Sequence, residues 1–283
     1  MERRIESLLR ELETDRDFLS CVTGWEKIPP REGRYVPLPE GLDGRLRAAL
    51  VSKGVDRLYS HQAAAFDTAR AGRNFVVVTP TASGKTLCYN LPVLQAILEK
   101  PERRALYLFP TKALSGDQQA ELNESVLFVE LPVKVATYDG DTPASRRASA
   151  RETGQIIISN PDMLHSGILP NHTKWIKFLK TLSFVVIDEI HTYRGVFGSH
   201  MANLVRRLKR IAAVYGVKPV FICCSATIGN PLELSRRVIG EDLDLLDDSG
   251  APSGEKHVVL YNPPLVDRVQ GIRRGVVLES QRL

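Results

Sequence analysis

Short apolar runs rich in β-branched residues recur along the chain. They are FVVVT (75–79), ALYLF (105–109), VKVATY (133–138), QIIIS (155–159), FVVIDE (184–189) and VFICCS (220–225). Their apolar residues are continuous rather than alternating, which is typical of strands buried on both faces of a parallel sheet. The pattern therefore predicts six strands of one buried sheet.

Helical patterns separate these runs. The clearest are TLCYNLPVLQAILEK (86–100), GDQQAELNESVLF (116–128) and HMANLVRRLKRIAAVYG (200–216). Alternation of strand and helix predicts an α/β fold, with a doubly wound, mostly parallel sheet and helices on both faces. In such sheets ligands bind at the carboxyl ends of the strands.

The two ends of the chain have a different character. Residues 1–20 show helical spacing and predict an amphipathic helix, and IPPREGRYVPLPEG (28–41) predicts an extended lead-in. DDSGAPSGE (247–255) lies between LDLLD and KHVVLY and predicts the turn of a hairpin. We therefore divide the chain into 1–56 (helix and lead-in), 57–245 (the α/β domain) and 246–283 (hairpin and the start of a further element).

Composition narrows the class of protein only moderately. The chain has 283 residues, 43% of them hydrophobic and 25% charged, and a net charge of +5, which permits a polyanionic partner without establishing one. No apolar run approaches the roughly 18 residues that span a membrane. The start, MERRIESLLRELE, lacks the apolar core of a signal peptide.

The cysteines indicate a cytoplasmic protein. Cys21, Cys88, Cys223 and Cys224 form no C-x-x-C pair and have no histidine cluster nearby, which argues against a zinc site. We expect buried free thiols, which fit a reducing, cytoplasmic compartment.

TPTASGKT (79–86) resembles the phosphate-binding loop G-x-x-x-x-G-K-[ST], with Thr79 in place of the first glycine. It follows an apolar strand and precedes a helical pattern, where backbone N–H groups meet phosphate oxygens. Gly84 allows the close approach, Lys85 would reach the β- and γ-phosphates, and the Thr86 hydroxyl would bind Mg²⁺. The predicted nucleotide contacts are Thr79, Pro80, Thr81, Ala82, Ser83, Gly84, Lys85 and Thr86. The alternative is a chance Gly-Lys-Thr.

FVVIDEIH (184–191) delivers two carboxylates at the end of another apolar strand. Asp188 would hold Mg²⁺, and Glu189 would activate the attacking water. Seen alone, this is equally a solvated acidic turn. Because both motifs follow predicted strands of one sheet, we interpret them together as an ATP·Mg²⁺ site.

Further motifs, in order, make the chain resemble the first RecA-like lobe of a superfamily 2 DEAD/DEAH-box helicase. RLYSHQ (57–62) resembles the Q motif and TPTASGKT motif I, which this superfamily often writes without the first glycine. PTKAL (110–114) with Gln118 resembles motif Ia, SNPDMLH (159–165) motif Ib, DEIH (188–191) motif II and SAT (225–227) motif III. The resemblance implies a RecA-like P-loop NTPase fold, with Gln62 reading adenine and Tyr59 near it.

The resemblance also implies roles outside the nucleotide site. Thr111 and Lys112, together with Asn160, Pro161 and Asp162, would contact the backbone of a nucleic acid. The coupling residues would be His191, Ser225, Ala226 and Thr227.

Each role has a simpler alternative. The alternative for Lys112 is a solvated loop lysine, and the alternative for Ser225 and Thr227 is a helix N-cap. A lone histidine such as His191 is more often structural. The basic groups Arg146, Arg147, Arg151 and Arg206, Arg207, Arg210 could line nucleic acid, but charge runs are usually solvated faces.

LYSHQ, YDGDTP and DEIHTYRGVFGSH bring the chain closest to the mitomycin-repair-factor branch, DNA helicases related to RecQ-type enzymes. The resemblance implies an ATP-driven motor on single-stranded DNA, in repair or processing. An RNA helicase and a non-translocating ATP-binding adaptor remain alternatives; Glu189 argues against the adaptor. A generic P-loop transporter or signalling ATPase would leave motifs Ia and Ib unexplained.

The family also implies a second RecA-like lobe, which carries arginine fingers worth 10³–10⁵ in rate. The residues after 265 are too few to supply it. We therefore expect this chain alone to bind ATP·Mg²⁺ and nucleic acid weakly and to hydrolyse ATP poorly.

Overall fold

The computed structural model describes residues 2–110, 131–267 and 269–282. It contains two compact units. One, the sheet unit, is Gly33–Ala251; the other combines Met1–Glu32 with Pro252–Leu283. The predicted helix at 116–128 lies outside the described residues.

The strands are β1 Val22–Ile28, β2 Tyr35–Pro37, β3 Arg57–Tyr59, β4 Phe75–Val78, β5 Arg104–Leu108, β6 Val135–Thr137, β7 Ile156–Ser159, β8 Leu182–Ile187, β9 Val220–Ser225, β10 Asp244–Leu246, β11 Lys256–Tyr261, β12 Leu265–Asp267 and β13 Ile272–Arg273.

The α-helices are α1 Glu2–Thr14, α2 Arg16–Cys21, α3 Gly44–Ser52, α4 Ser60–Arg70, α5 Lys85–Glu99, α6 Ala144–Thr153, α7 Pro161–Met163, α8 Ile176–Leu179, α9 Gly195–Val214, α10 Pro231–Ile239 and α11 Val276–Arg282. A π-helical turn (Leu164–Ile168) and a 3₁₀ stretch (Leu169–Trp175) join α7 to α8, and a 3₁₀ turn covers Ile190–Thr192. In the described residues no helix is both long enough and apolar enough to cross a membrane.

A seven-stranded sheet in the order β10-β4-β9-β8-β5-β7-β6 forms the centre of the sheet unit. Every neighbouring pair in it is parallel. All six apolar runs supply strands of this sheet, so the predicted doubly wound α/β fold is confirmed. The carboxyl ends of β4, β5, β7, β8 and β9 consequently share one edge.

Both faces of the sheet are buried. Along β4, Phe75 and Val77 face one apolar cluster, while Val76 and Val78 face the other. The vicinal cysteines divide in the same way, with Cys224 in the first cluster and Cys223 in the second. This two-sided burial explains why the strands are continuously apolar.

The predicted hairpin around 247–255 is wrong. β10 pairs in parallel with β4, and β11 pairs antiparallel with β1. The backbone N–H of Asp244 donates to Asn74 O (2.9 Å), which fixes β10 at the edge of the sheet. The alternating half-buried pattern of β11 suits its two-stranded ribbon with β1.

The single helix predicted for residues 1–20 is also wrong, because two helices meet at Asp15. The Asp15 carboxylate accepts hydrogen bonds from the backbone N–H groups of Asp17 (2.9 Å) and Phe18 (3.0 Å). It therefore caps α2 and ends the continuity of α1. The lead-in contributes β2, which pairs antiparallel with β3.

Candidate active site

The loop between β4 and α5 is closed by two side-chain hydroxyls. Thr79 Oγ1 and Ser83 Oγ are 2.6 Å apart, and both residues are buried. Threonine in place of the first glycine thus bonds across the loop. Gly84 ends the loop with φ of 76°, and an added Cβ there would lie 2.6 Å from Gln62 Nε2. The position therefore requires glycine both for its backbone and for its space.

The crest of the loop is exposed at Pro80, Thr81 and Ala82. Ala82 has φ of 60°, a strained conformation for a residue with a side chain and one often found at functional sites. Lys85 Nζ donates to Thr79 O (2.8 Å) and to Pro80 O (3.3 Å). The ammonium group therefore lies against the loop, at the N-terminus of α5, where an anion is favoured.

Gln62 and Tyr59 lie beside this loop. Gln62 is buried, its Oε1 accepts from Tyr59 N (3.0 Å), and its Nε2 donates to Gly84 O (3.0 Å). In this arrangement the amide holds the phosphate loop against the start of α4. Reading of adenine by Gln62 stays a prediction.

Asp188 and Glu189 follow the carboxyl end of β8. The Asp188 N–H donates to Leu108 O (3.0 Å), and Asp188 Oδ1 accepts from Glu189 N (2.8 Å). Glu189 has φ of 51°, a second strained residue at this edge. Its Oε2 is buried, makes no hydrogen bond among the described residues and lies in ion-pair contact with His191 Nδ1 at 3.0 Å.

The sheet brings the two motifs together, since β4 and β8 both pair in parallel with β9. Burial raises the pKa of the Cys224 thiol, the Asp188 charge raises it further, and Lys85 lowers it. Burial likewise raises the pKa of Tyr89, and Asp188 adds to the effect, while Thr86 opposes it. Asp188 therefore acts on both side chains, Lys85 on Cys224 and Thr86 on Tyr89.

The oxygen set fits a magnesium ion better than a metal held by protein alone. No group of three or more metal-ligating His, Cys, Asp or Glu side chains exists within the described residues. Mg²⁺ commonly takes one or two protein oxygens and completes its shell with phosphates and water. The Thr86 hydroxyl and the Asp188 carboxylate offer such a set.

His191 joins motif II to motif III. Its Nδ1 accepts a hydrogen bond from Ala226 N (3.3 Å) and lies 3.0 Å from Glu189 Oε2. Ser225 Oγ donates to Ala226 O (2.7 Å), and Thr227 is exposed. The alternative that Ser225 or Thr227 caps a helix is wrong, because α10 begins only at Pro231.

The structure describes only some of the residues that we predict to contact nucleic acid. Asn160 is buried, and its Oδ1 accepts from Met163 N (2.9 Å), so it caps the helical turn that starts at Pro161. Asp162 is exposed on that turn. Thr111 and Lys112, with the rest of motif Ia, lie outside the described residues.

A groove of about 1000 Å³ continues from this turn along α9. Its lining includes Pro161, Asp162 and Phe197, together with the basic side chains His165, His200, Arg206, Arg207, Lys209 and Arg210. Asp162 is the only acidic residue of the lining, and Lys209 pairs with Glu241. Among the described residues no ion pair neutralises Arg206, Arg207 or Arg210. Arg147, by contrast, bonds the turn carbonyls of Asp139, Gly140 and Thr142.

Reasoning from the sequence missed His61. It is buried beneath the phosphate loop, with Nε2 3.1 Å from Ser83 O. Its position within LYSHQ, between Tyr59 and Gln62, was the available signal.

The family model of the DEAD/DEAH box helicases matches residues 59–234. Two relatives are the "Uncharacterized ATP-dependent helicase YprA" of Bacillus subtilis (54% identical, 97% of this chain and 37% of the relative) and the "ATP-dependent helicase hrq1" of Schizosaccharomyces pombe (38% identical, 93% and 25%).

Two crystal structures of the DUF1998 helicase MrfA, one bound to DNA and one to DNA and AMPPNP, superpose with a TM-score of 0.92. They are 53% identical over 98% of this chain and 38% of MrfA. The match confirms the resemblance to the mitomycin-repair-factor branch. The chain thus spans little more than a third of the length of YprA and MrfA. It belongs to the DEAD/DEAH box helicase family.

Proposed function

We propose that this chain is the ATP-binding lobe of a DNA helicase that couples ATP hydrolysis to movement on single-stranded DNA, in repair or another DNA-processing reaction. The observation that carries the proposal is the sheet order β4-β9-β8, which brings the loop that carries Lys85 and the strand end that carries Asp188 to one edge, where His191 also contacts motif III. The similarity to MrfA, whose structures contain DNA and AMPPNP, supports the choice of both ligands.

In this proposal Lys85 and the amides at the start of α5 bind the phosphate oxygens of ATP. Thr86 and Asp188 would hold Mg²⁺, which would supply positive charge against the phosphates. Glu189 Oε2 accepts a proton from the attacking water, a role that suits a buried carboxylate oxygen at this edge of the sheet. A positioned base of this kind contributes typically 10²–10⁴-fold.

The nucleic-acid strand would pass over the Asn160–Asp162 turn. That turn follows β7 on the same edge as the nucleotide site. The adjoining groove adds arginines that have no acidic partner among the described residues, and the half-exposed ring of Phe197. Arginines bind phosphates, while aromatic rings stack with bases. We include Thr111 and Lys112 in this path from the family motif.

A second RecA-like lobe would complete the site in the whole protein, since arginine fingers supply much of the rate in this chemistry. The four free cysteines suit a reducing, cytoplasmic compartment.

The proposal is tested by measuring ATP turnover in the presence of DNA and of RNA. Single-stranded DNA should stimulate turnover more than RNA of the same sequence and length. A larger response to RNA would favour an RNA helicase, and ATP binding without any turnover would favour the adaptor.

A further inference from the structure

His61 bridges the phosphate loop and the last residues of the sheet unit. It lies in the first turn of α4 and is 2% exposed. Its Nε2 is 3.1 Å from Ser83 O, and its Nδ1 accepts a hydrogen bond from Gly250 N (3.1 Å). One buried ring therefore contacts two segments that are distant in sequence.

Both contacts require the same tautomer. The Gly250 N–H can only donate, so Nδ1 must be unprotonated; the Ser83 carbonyl can only accept, so Nε2 must carry the proton. The neutral ring satisfies both partners. Tyr59 stacks on it, with ring centroids 5.8 Å apart and planes at 10°, which fixes the plane of the imidazole.

The contact with Ser83 orients backbone amides of the phosphate loop. Because a trans peptide is planar, its C=O and N–H point in opposite directions. Holding Ser83 O sets the direction of the Gly84 N–H, just as the bond from Gln62 Nε2 to Gly84 O sets that of the Lys85 N–H. His61 and Gln62 thereby fix two consecutive amides at the N-terminus of α5, where phosphate is favoured.

The contact with Gly250 reaches both ends of the sheet unit. Gly250 O accepts from Arg34 N (2.8 Å), and Arg34 O accepts from Ser60 N (3.0 Å). A Cβ on Gly250 would lie 2.3 Å from Ser60 Oγ and 2.9 Å from Arg34 O, so only glycine fits. Since the unit is Gly33–Ala251, a residue next to each of its ends is held at the start of α4.

We propose that His61 is a positioning residue that couples the phosphate loop to segment 248–251, so that nucleotide binding and the order of this segment stabilise each other. The inference rests on the proposed nucleotide site. It adds to that site a route by which nucleotide occupancy reaches the point where the chain leaves the sheet unit.

The test combines AMP-PNP·Mg²⁺ affinity with amide hydrogen exchange of the 247–251 peptide, in the wild-type chain and in variants. In the wild type, saturating nucleotide should slow exchange in this peptide. His61→Leu keeps an apolar bulk but loses both hydrogen bonds. It should weaken nucleotide binding about 5–20-fold, a range typical of coupled sites, and abolish the nucleotide-dependent protection.

Two amide variants separate the ends of the bridge. His61→Asn places an acceptor near the Nδ1 position but cannot reach Ser83, whereas His61→Gln extends a donor towards Ser83. We expect His61→Asn to retain the slow basal exchange of Gly250, while neither variant restores protection by nucleotide. A merely structural role predicts instead that protection by nucleotide survives in every variant that folds.

Gly250→Ala tests the bridge from its other end, should His61→Leu fail to fold. The φ of Gly250 is not positive, so alanine acts only through the clash with Ser60 and Arg34. We expect weaker AMP-PNP binding although Gly250 lies outside the phosphate loop. Gly44→Ala is the matched control, because an added Cβ there meets nothing within 4 Å.

The outcomes are distinct. Wild-type AMP-PNP binding without protection of 247–251, or unchanged protection in His61→Leu, overturns the coupling and leaves the proposed function intact. Wild-type protein that binds no AMP-PNP overturns both. Loss of protection in His61→Leu, with weaker binding in Gly250→Ala and not in Gly44→Ala, supports the coupling.

Discussion

His191 Nδ1 lies 3.3 Å from the backbone nitrogen of Ala226 and accepts its hydrogen bond. The same nitrogen is 3.0 Å from Glu189 Oε2. A single ring thus stands between the proposed catalytic carboxylate and the strand end that carries Ser225 and Thr227.

We predict that His191→Ala separates ATP binding from its response to DNA. The variant should bind AMP-PNP within about twofold of wild type, because His191 makes no bond to the phosphate loop in the described residues. Stimulation of ATP turnover by single-stranded DNA should fall about tenfold, in the range of typical coupling energies. Parallel titrations of nucleotide and DNA measure both quantities; undiminished stimulation would remove His191 from the coupling path.

Lys85→Ala should abolish nucleotide binding while the fold survives. Among the described residues Lys85 Nζ donates only to Thr79 O and Pro80 O in its own loop, so its loss leaves the core unchanged. Charge-assisted contacts to phosphate make the expected loss of affinity greater than about 100-fold. Calorimetric titration with AMP-PNP measures the affinity, and a thermal melt tests whether the fold survives. Unchanged affinity would exclude the loop as the nucleotide site.

Arg206→Ala combined with Arg210→Ala should weaken binding of single-stranded DNA. Both arginines line the groove beside the Asn160–Asp162 turn and lack an acidic partner in the described chain. Each phosphate contact removed lowers the slope of log affinity against log salt by about 0.7 for a single strand. Fluorescence anisotropy at several salt concentrations measures this change.

The matched control is Arg236→Ala with Arg237→Ala on α10. These arginines pair with Asp242 (3.2 Å) and Glu233 (2.6 Å), so they offer less free positive charge. We expect the DNA affinity of this double variant, and the slope of its affinity against salt, to match those of the wild type. Equal losses in both double variants would mean that net charge, and not the groove, determines binding.

Glu241 provides a test of stability against pH. Burial raises its pKa, but the hydrogen bonds from Lys209 and Asn74 and the charge of Lys218 outweigh burial, so its pKa lies below the usual range. A lowered carboxyl pKa stabilises the fold above the unfolded value, and that stability is lost as pH falls through the folded value. Glu241→Gln should therefore lower the free energy of unfolding by about 1 kcal/mol at pH 7.

The deficit, which is the loss of unfolding free energy in Glu241→Gln relative to the wild type, should shrink as the pH falls below about 4, near the ordinary glutamate pKa. Urea unfolding at pH 7 and at pH 3.5 measures it. Glu102→Gln is the control, because Glu102 is exposed and has no ion pair within the described residues. A deficit in Glu241→Gln that is independent of pH would point to lost packing instead of lost charge.

The sheet was predictable because its strands are buried on both faces. Neighbours such as Val76 and Val77 enter opposite apolar clusters, and that burial leaves a continuous apolar run in the sequence. β10 leaves no such run, since its three residues are only half-buried at the sheet edge. Its parallel partner β4 lies far upstream, and a nearby turn sequence favoured the wrong hairpin.

Some residues of the candidate site were predictable from the sequence, and others were not. Lys85 and Asp188 belong to local motifs whose spacing reflects the chemistry, so the sequence alone predicted them. His61 acts through Ser83 and Gly250, 22 and 189 residues away, and no local pattern records those contacts. The break at Asp15 was missed because the helical periodicity of residues 1–20 outweighed a single capping side chain.

The central claim is that Glu189 completes an ATP-hydrolysing site on this lobe. Its most direct test is single-turnover hydrolysis of labelled ATP, with and without single-stranded DNA, by the wild type and by Glu189→Gln at equal ATP occupancy. This occupancy is set from the affinity of each protein for AMP-PNP. We predict slow hydrolysis by the wild type, stimulated by DNA, and a rate at least about 100-fold lower in Glu189→Gln. Equal rates in the two proteins at matched ATP occupancy would contradict the account.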